Sequence, residues 1–393
     1  MSSCDVTVVI CTWNRCGRLR ETLASLSAAC MPSTLTWDVV VVDNNSTDAT
    51  RAIVEHQMAG FPVPLRYVFE RRQGKSWAMN AGIDATDSPI IALTDDDVRL
   101  NREWLWEGCR PLIEDATLSY TGGPVLPIWE ESPPLWFEQT GRILWGTLAI
   151  LDYGNDSFLF ESNRKVPLGV NFAIRRRLVD RIGGFDTSLG RSSGRLLLGQ
   201  ELPEFFARAR ETGACGRYVP SMVLHHHVPA RRLTPGYCRR WWYGKGVSRA
   251  RMEAMHPVTD RGLDLRTVPT IFGVPRFLFG NALRDAARWV VAALQANTGV
   301  RIAAETQLYY FAGQIRERLR LSVVRMRGRA QPRKPATANC RVQRVYPGAL
   351  KTMGRGNISA GPSLGASAMA LAKFLRARGW IRATLAAHRP RWH

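Results

Sequence analysis

The chain has 393 residues, of which 45% are hydrophobic and 22% are charged, as in an ordinary globular protein. This length allows one large α/β domain with an appendage, or two domains, and the core needs no disulfide or metal to form. The formal net charge is +21, and the basic residues concentrate after about residue 231. A basic half implies an anionic partner, namely nucleic acid, a membrane surface or a phosphorylated substrate, unless it reflects only an arginine-rich codon bias.

The cysteines and the apolar runs indicate a cytoplasmic protein. None of the eight cysteines forms a C-x-x-C pair or joins a histidine at zinc spacing, so we expect buried thiols in a reducing compartment. The first residues enter a strand at once, and the sequence contains no run of about 18 apolar residues. We therefore expect neither a signal peptide nor a membrane span.

Buried strands alternate with amphipathic helices through the first hundred residues. Runs of β-branched residues predict the strands, and apolar residues at helical spacing predict the helices between them. The predicted strands are 6–11, 37–42, 65–69 and 89–93, and the predicted helices are 17–28, 75–85 and one that starts at 49. This alternation predicts a Rossmann-like α/β fold with a mostly parallel central sheet flanked by helices.

The second half mixes shorter strands with longer helices. Its predicted strands are 120–128, 169–174 and 218–225, and its predicted helices are 175–182, 200–212, 233–252 and 275–319. From about residue 326 the apolar periodicity decays into Arg, Pro, Gly, Ala and Ser. We therefore expect a basic, largely disordered tail over 326–393.

Polar side chains follow three of the predicted parallel strands, in the segments 12–15, 43–44 and 95–97. Because ligands of open α/β sheets bind at the carboxyl ends of the strands, these segments predict one binding cleft. Asp95, Asp96 and Asp97 repel one another unless a cation neutralises them, and their oxygens suit Mg²⁺ or Mn²⁺ with phosphate oxygens completing the shell. The alternative is a solvated acidic turn or a helix cap.

Six segments in order resemble the family-2 glycosyltransferases of the GT-A fold. They are VTVVICTWNRCGRLRETLASL, VVVVDNNSTDAT, GKSWAMNAGIDAT, IIALTDDDV, TGGPV and GVNFAIRRRLVDRIGGFD. The resemblance covers roughly residues 5–250 and, more weakly, continues to about residue 321. It implies inverting transfer from a nucleotide-diphospho-sugar, with a divalent metal on the diphosphate. It also implies a GT-A catalytic domain over 1–230, with a nucleotide-binding half of about 1–100 and an acceptor half of about 101–230, followed by a basic helical extension over 231–325.

The resemblance assigns the donor side to the polar strand ends and the loop before the third helix. Asp43 would accept a hydrogen bond from the nucleobase, Asp95 would approach both ribose and metal, and Asp97 would ligate the metal. The remaining donor-side residues are Thr12, Asn14, Arg72, Lys75 and Asn80. Together with the metal, the cations would stabilise charge on the departing nucleoside diphosphate.

Inverting transfer also needs a general base, usually a carboxylate at the start of a helix in the acceptor half. The family usually has an acidic pair after a glycine, whereas this sequence has Gly199-Gln200-Glu201 and then Glu204. We expect Glu201 to be the base and Glu204 to be the fallback. The alternative is that both acids only favour a helix N-terminus.

Other residues are assigned to the metal and to the acceptor side. The run His225-His226-His227 follows a predicted strand, and the resemblance implies that His225 or His226 contacts the metal or a phosphate, with His225 taken as the ligand; surface decoration is the alternative. Gly123 and Asn171 are expected to shape the acceptor side. Trp129 and Trp136 either stack on a sugar ring or fill a hydrophobic gap.

The basic extension bears on processivity and membrane contact. The segment around Arg239-Arg240-Trp241-Trp242 lacks the glutamine of the processive synthases, and this difference favours transfer of a single sugar. The expected acceptor is a glycan, a lipid-linked molecule or another hydroxyl compound. The expected setting is cell-surface polysaccharide or envelope biosynthesis. Apolar residues at helical intervals beside arginines predict either a helix packed on the catalytic domain or an interfacial helix on an anionic membrane. Peripheral contact on the inner face of the cell membrane therefore stays open.

Three rival functions compete with glycosyl transfer. A nucleotidyltransferase shares fold and carboxylates but has a Gly-rich, basic loop after the first strand, where this chain has CTWNRCGRL. A nucleic-acid-binding protein is suggested by the charge, yet no recognised module or aromatic-interleaved basic repeat supports it. An inactive nucleotide-sugar binder stays open because Gln200 departs from the family's acidic pair.

Overall fold

The computed structural model describes residues 4–163, 165–191, 196–259, 262–271 and 273–330. The strands are β1 Val6–Thr12, β2 Trp37–Asp43, β3 Leu65–Phe69, β4 Ile90–Asp95, β5 Val98–Leu100, β6 Leu118–Gly122, β7 Val125–Trp129, β8 Phe158–Leu159, β9 Asn171–Arg175, β10 Cys215–Tyr218, β11 Leu224–Val228, β12 Thr270–Ile271 and β13 Val274–Pro275. The α-helices are α1 Cys16–Ser27, α2 Thr50–Met58, α3 Lys75–Asp84, α4 Trp104–Glu114, α5 Leu135–Glu138, α6 Arg176–Ile182, α7 Glu201–Glu211, α8 Pro235–Met255, α9 Arg276–Leu294 and α10 Thr298–Ala330.

Within the described residues, eight strands form the central sheet in the order β3-β2-β1-β4-β9-β6-β10-β8. The first four are parallel neighbours, and β9 runs antiparallel between β4 and β6. Their β-branched side chains are buried on both faces, as expected for strands covered by helices on each side. The predicted α/β fold with a mostly parallel sheet is confirmed.

Two predicted strands are each divided in the structure. The apolar run 120–128 breaks at Gly123-Pro124 into β6, which joins the central sheet, and β7, which joins a smaller one. The run 218–225 likewise divides into β10 and β11. An apolar run does not reveal which sheet it enters, so sequence periodicity missed both breaks.

The smaller sheet places the histidine run beside the acidic run. Its order is β5-β11-β7, and the short strand β5 starts directly after the three aspartates. In the antiparallel pairing of β5 with β11, His226 lies opposite Val98, and the backbone N–H of His227 donates to the carbonyl of Asp97 at 2.9 Å. Strand β5 was not predicted, because three residues are too short for a periodic signal.

The C-terminal helices confirm the predicted helical extension and divide it differently. The predicted helix 275–319 is two helices, α9 and α10, separated at Ala296, whose φ of 53° is left-handed. Helix α10 is tied to α8 by ion pairs from Arg251 to Glu317 and from Arg239 to Glu305. Helix α10 continues to Ala330, and the rest of the predicted tail lies outside the described residues. No helix among the described residues is long and apolar enough to cross a bilayer.

Helix α3 packs closely on β1 and β2 because Gly82 has no side chain. A Cβ at this position would lie 2.4 Å from Val9 Cγ1 and 3.0 Å from Val42 Cγ2. Both valines lie in the buried core, where neighbours have no free space to move. The close approach matters for function because α3 begins with Lys75, one of the predicted donor-side residues.

We predict that Gly82→Ala lowers the free energy of unfolding by about 2 kcal/mol, because the added methyl overpacks the interface of α3 with the sheet. Gly280→Ala is the matched control, since Gly280 lies inside α9 and a Cβ added there would meet no neighbouring atom within 4 Å. We expect this control to raise stability by about 0.5–1 kcal/mol through helix propensity. Urea denaturation measures both, and equal effects would contradict the proposed packing.

Candidate functional site

The three adjacent aspartates at the end of β4 have different cationic and polar partners. Lys75 Nζ lies 2.6 Å from Asp95 Oδ1. Arg15 donates to Asp96 Oδ1 at 2.9 Å and to Asp97 Oδ2 at 2.7 Å. The hydroxyl of the buried Thr12 donates to the second oxygen of Asp96 at 2.7 Å. The predicted cluster at the strand ends therefore exists, and it is held by residues from two neighbouring segments.

Charges around the acidic run set the protonation of its members. Burial raises the pKa of Asp96 to about 6, against the opposing effect of Arg15. Burial also works to raise the pKa of Asp97, but the His226 imidazole and the guanidinium groups of Arg15 and Arg232 hold it well below its usual range. Asp97 therefore stays ionised, as a metal ligand must be.

His226, rather than His225, faces the acidic run. Side chains alternate between the two faces of a strand, so only the middle histidine of β11 points toward Asp97. His226 is buried, and its Nε2 lies 3.5 Å from Asp97 Oδ1. His225 lies on the other face of the strand, opposite Arg99 of β5. Burial and the charge of Arg99 lower the pKa of His225. The orientation of β11 therefore favours His226 over the predicted His225 as a side chain that faces the acidic run.

The chemistry of the donor set fits a divalent metal that is completed by phosphate oxygens. Asp97 Oδ1 is buried without a hydrogen-bond partner, and carboxylate and imidazole groups are ligands for Mn²⁺ while Mg²⁺ needs only one or two carboxylates. Within the described part of the chain, no three His, Cys, Asp or Glu side chains converge tightly enough to enclose an ion by themselves. The protein residues alone thus supply part of a coordination shell.

The predicted pocket residues Asn14 and Asp43 connect the loops after β1 and β2. Asn14 has a left-handed φ of 51°, and its side-chain oxygen accepts from the backbone N–H of Thr47 at 2.7 Å. Asp43 is buried, and it accepts from the backbone N–H of Ser46 and from the Tyr67 hydroxyl, both at 2.8 Å. Both residues therefore shape the wall of the predicted nucleotide pocket, and a nucleobase contact of Asp43 stays a prediction.

Asn44 extends this wall to the loop before α3. Its side-chain nitrogen donates to the carbonyls of Glu70 and Arg72 at 3.1 and 2.7 Å. Its side-chain oxygen accepts from the backbone N–H of Gly74 at 2.8 Å. The guanidinium of Arg72 then stacks on the Trp77 ring, 3.8 Å from its centroid. Three consecutive strand-end loops are thus joined into one surface.

Two donor-side predictions at α3 have different outcomes. Lys75, which binds Asp95, also donates to the carbonyl of Gly169 at 3.1 Å and therefore lies at the junction of both halves of the domain. Burial works to lower its pKa, but Asp95 raises it, so the amine stays charged. Asn80 instead exchanges two hydrogen bonds with the backbone of Phe185, at 2.8 and 2.9 Å. Its amide therefore supports that loop, and a contact of Asn80 with the sugar donor stays a prediction.

Glu201 is a buried carboxylate whose charge interacts with Lys75 at this junction. It begins α7, and its Oε2 has no hydrogen-bond partner. Leu202, the next residue, packs against Gly169, whose carbonyl binds Lys75. Burial raises the pKa of Glu201, whereas the charges of Lys75 and Arg191 lower it. A buried carboxylate of raised pKa, with one oxygen that has no hydrogen-bond partner and a charged amine within electrostatic reach, is suited to accept a proton.

Glu204, the fallback base, is fully engaged in ion pairs. Arg208 donates to its two oxygens at 2.7 and 2.9 Å, and His256 Nε2 lies 3.1 Å from Oε1. The same arginine binds backbone carbonyls of the loop before Phe185. Glu204 therefore fastens α7 to its surroundings, and the structure does not support its role as the fallback base.

The predicted acceptor residues are structural in their visible contacts. Asn171 is completely buried and bonds to Trp104 Nε1 and to the carbonyls of Pro124 and Met222, all at 2.8 Å. Gly123 allows a close approach to Met222, whose carbonyl oxygen would lie 2.1 Å from an added Cβ. A direct acceptor contact by the Asn171 side chain is therefore wrong. Its amide is instead a crosslink between β9, α4 and the smaller sheet.

Trp129 and Trp136 pack against Phe137, with ring centroids 5.9 and 6.0 Å apart from it in edge-on geometry. Of the two alternatives for these rings, filling a hydrophobic gap fits the structure. The stacking of Trp129 on a sugar finds no support in these contacts.

Sequence reasoning missed three cationic or polar residues of the site. Arg15 lies in the first of the resembling segments but was given no role, Tyr67 lies in the middle of a strand, and Arg232 precedes α8 in a basic run. Arg232 is buried, and its NH1 lies 3.5 Å from His226 Nε2. Arginine is rarely buried in proteins, so a buried arginine would have pointed to this site. The sequence alone does not show which arginines are buried.

Comparisons with known proteins identify the family and the fold. Residues 7–183 match the family model described as Glycosyl transferase family 2. This segment is a family-2 glycosyltransferase domain with the GT-A fold.

Individual relatives are similar over most of their length. The chain is 26% identical over 253 residues to succinoglycan biosynthesis protein ExoM of Rhizobium meliloti (strain 1021), covering 63% of this chain and 75% of that protein. It is 23% identical over 278 residues to glucosyl-dolichyl phosphate glucuronosyltransferase of Haloferax volcanii, covering 69% and 85%. The structure of mannosyltransferase PcManGT from Pyrobaculum calidifontis, in complex with GDP-Man and Mn²⁺, matches with a TM-score of 0.51 and 21% identity over 81% of this chain and 88% of that one. This last likeness shows the fold.

We predict that the two acids of α7 respond oppositely to amidation. Glu204→Gln lowers the free energy of unfolding by about 2 kcal/mol, because it breaks the buried ion pair with Arg208 and changes the contact with His256 Nε2. Glu201→Gln keeps or raises stability at neutral pH, because the raised folded pKa of Glu201 means that its ionised form opposes folding above that pKa. Urea denaturation at neutral pH measures both changes, and a large loss for Glu201→Gln would contradict the assignment of its carboxylate as unpaired.

Proposed function

We propose that this chain is an inverting, non-processive, metal-dependent glycosyltransferase that moves one sugar from a nucleotide-diphospho-sugar to a hydroxyl group of a glycan or a lipid-linked acceptor. The observation that carries the proposal is the buried Glu201 side chain, whose Oε2 has no hydrogen-bond partner and whose charge interacts with Lys75 of the Lys75–Asp95 ion pair. In such an arrangement, a proton acceptor lies near Lys75, which we expect to bind the sugar donor. Cell-surface polysaccharide or envelope biosynthesis is the setting we propose for this activity.

The donor diphosphate is met by the cations around the acidic run. Lys75 and Arg15 are paired to carboxylates in this structure. Burial lowers the pKa of Arg232, and the charge of Arg191 adds to this effect. We propose that these groups stabilise the negative charge that develops on the nucleoside diphosphate as the bond to the sugar breaks. The linked loops of Asn14, Asp43 and Asn44 would hold the nucleoside.

Asp95, Asp97 and His226 are the residues we propose for a Mg²⁺ or Mn²⁺ ion. When bound, such an ion supplies Lewis-acid stabilisation of the diphosphate. Support comes from the unpaired Asp97 Oδ1 and from its distance of 3.5 Å to His226 Nε2. The protein itself contributes Arg15, which orients the other oxygen of Asp97.

Glu201 is proposed to accept the proton of the acceptor hydroxyl. The hydroxyl oxygen then forms the bond to the anomeric carbon, and the bond from that carbon to the diphosphate oxygen breaks. Attack from the side opposite to the leaving group inverts the configuration. The proton rests on Glu201, the bonding electrons leave with the nucleoside diphosphate, and the charged Lys75 beside both groups favours this redistribution of charge.

The acceptor class is proposed from the relatives. One relative acts in succinoglycan biosynthesis and another is a glucosyl-dolichyl phosphate glucuronosyltransferase. Both names fit a sugar acceptor carried by a growing glycan or by a lipid. The tyrosine at position 237, in place of the glutamine of processive synthases, supports transfer of a single sugar.

We predict that the purified protein releases nucleoside diphosphate from one of UDP-, GDP- or dTDP-sugars when Mn²⁺ or Mg²⁺ is present. Chelation of the metal or the substitution Asp97→Asn should lower this rate about 100-fold, because each removes charge stabilisation from the diphosphate. Asp156→Asn, at an exposed position before β8, is the matched control and should keep the full rate. A rate that is indifferent to chelation and to Asp97→Asn would contradict the metal assignment. Metal-linked donor binding without release or transfer would favour a nucleotide-sugar-binding protein or a nucleotidyltransferase of the same fold.

The pH dependence of transfer tests the base. Because burial raises the pKa of Glu201, its ionised form is lost already at higher pH than for an exposed glutamate, whose pKa is about 4.3. We expect kcat/KM to fall on the acid side through that raised pKa, and Glu201→Gln to lower kcat by about 100-fold or more. Steady-state kinetics across the acid range measures both, and a Glu201→Gln enzyme with the wild-type rate would exclude this base.

A further inference from the structure

Helix α9 presents an apolar stripe to the outside of the protein. Five exposed residues are spaced by four, three, one and three positions along the helix: Leu283, Ala287, Val290, Val291 and Leu294. These intervals place them on one helical face. Leu283 is 74% exposed and Leu294 is 83% exposed, so the described part of the chain leaves both side chains largely uncovered.

The remaining circumference of α9 is what attaches it to the protein. Leu278 and Ala292 are buried, and the Phe279 ring packs edge-on against Phe311 of α10 with 5.4 Å between centroids. Helix α9 is therefore held on α10 by one face while the stripe is left open. Of the two alternatives drawn from the sequence, the packed helix describes the attached face, and the interfacial helix stays a prediction for the open face.

Arginines border the stripe. Arg284 and Arg288, one turn apart, are exposed, and Arg276 is exposed at the start of the helix. The acidic residue within α9 is Asp285, which lies 3.7 Å from Arg288 and is half-buried. An exposed apolar stripe flanked by guanidinium groups is the pattern of a helix lying in a bilayer interface.

We infer that the α9 face, defined as the stripe together with Arg284 and Arg288, docks on the surface of an anionic lipid bilayer. The leucine and valine side chains would enter the headgroup layer, and the arginines would meet lipid phosphates. A second copy of the chain fits less well, because a twofold contact would oppose like charges. The segment 331–393 also fits less well, because it has twelve Lys and Arg and no Asp or Glu.

The inference adds to the proposed function without depending on it, so it is tested without a sugar donor. The full chain is sedimented with vesicles of phosphatidylcholine alone or of phosphatidylcholine mixed with phosphatidylglycerol. We expect binding to the anionic vesicles that weakens as salt is raised. Leu283→Asp with Leu294→Asp should weaken it about tenfold or more, since two apolar anchors are lost and negative charge is added.

Matched variants distinguish a specific role of the α9 face from nonspecific effects of added or removed charge. Met58→Asp with Ile113→Asp makes the same kind of change at exposed positions of α2 and α4 and should leave binding unchanged. Arg284→Gln with Arg288→Gln should weaken binding to anionic vesicles about tenfold, whereas Arg20→Gln with Arg102→Gln, which removes the same charge elsewhere, should weaken it less. Circular dichroism and thermal unfolding confirm that each variant is folded.

Three results would overturn the inference. The first is no binding of the wild-type chain to either kind of vesicle, and the second is unchanged binding of the Leu283→Asp, Leu294→Asp variant. The third is a lipid-free dimer, seen by sedimentation velocity, that this variant converts to a monomer, since the face would then be an interface between copies. Failure of sugar transfer would leave all three measurements intact.

Discussion

The neutralisation of three consecutive aspartates is the constraint on which the rest of this protein depends. Carboxylates this close destabilise a fold unless cations meet them, and no single neighbouring residue can reach all three. The chain meets Asp95 with Lys75 from α3, meets Asp96 and Asp97 with Arg15 from the loop after β1, and adds His226 from β11. The packing of α3 on the sheet and the pairing of β5 with β11 are therefore both part of the electrostatic balance of the site.

This balance also explains why the site is suited to charged substrates. The residues that neutralise the aspartates in the free protein are the same ones that we propose to bind a nucleoside diphosphate. A donor that arrives with its own cation can exchange partners with Lys75 and Arg15, with little change in total charge. Lys75 lies at the start of α3 and Arg15 lies in the loop between β1 and α1, so the two cations reach the aspartates from different segments.

The sequence predicted the parallel half of the sheet well and the site in part. β1, β2 and β4 are buried on both faces, so their β-branched runs are unambiguous, and the polar segments at their ends converge as expected. Glu201 and Glu204 give the same local signal at the start of one helix. Only their distant neighbours, Lys75 for one and Arg208 with His256 for the other, distinguish a free carboxylate from an engaged one. For the same reason the face of β11, and hence the choice of His226 over His225, depends on strand register that local sequence does not encode.

Asn44 has a consequence for the selectivity of the nucleotide pocket that we propose. Its side chain joins the loops that follow β2 and β3, and its backbone N–H donates to the carbonyl of Thr12, at the end of β1, at 2.9 Å. The conformational entropy of these loops is therefore lost during folding and not during ligand binding. A base that matches the fixed contour gains its contacts at little entropic cost. For a base of another shape, the fixed loops cannot move to form alternative contacts. The rigid pocket wall therefore favours one base over others.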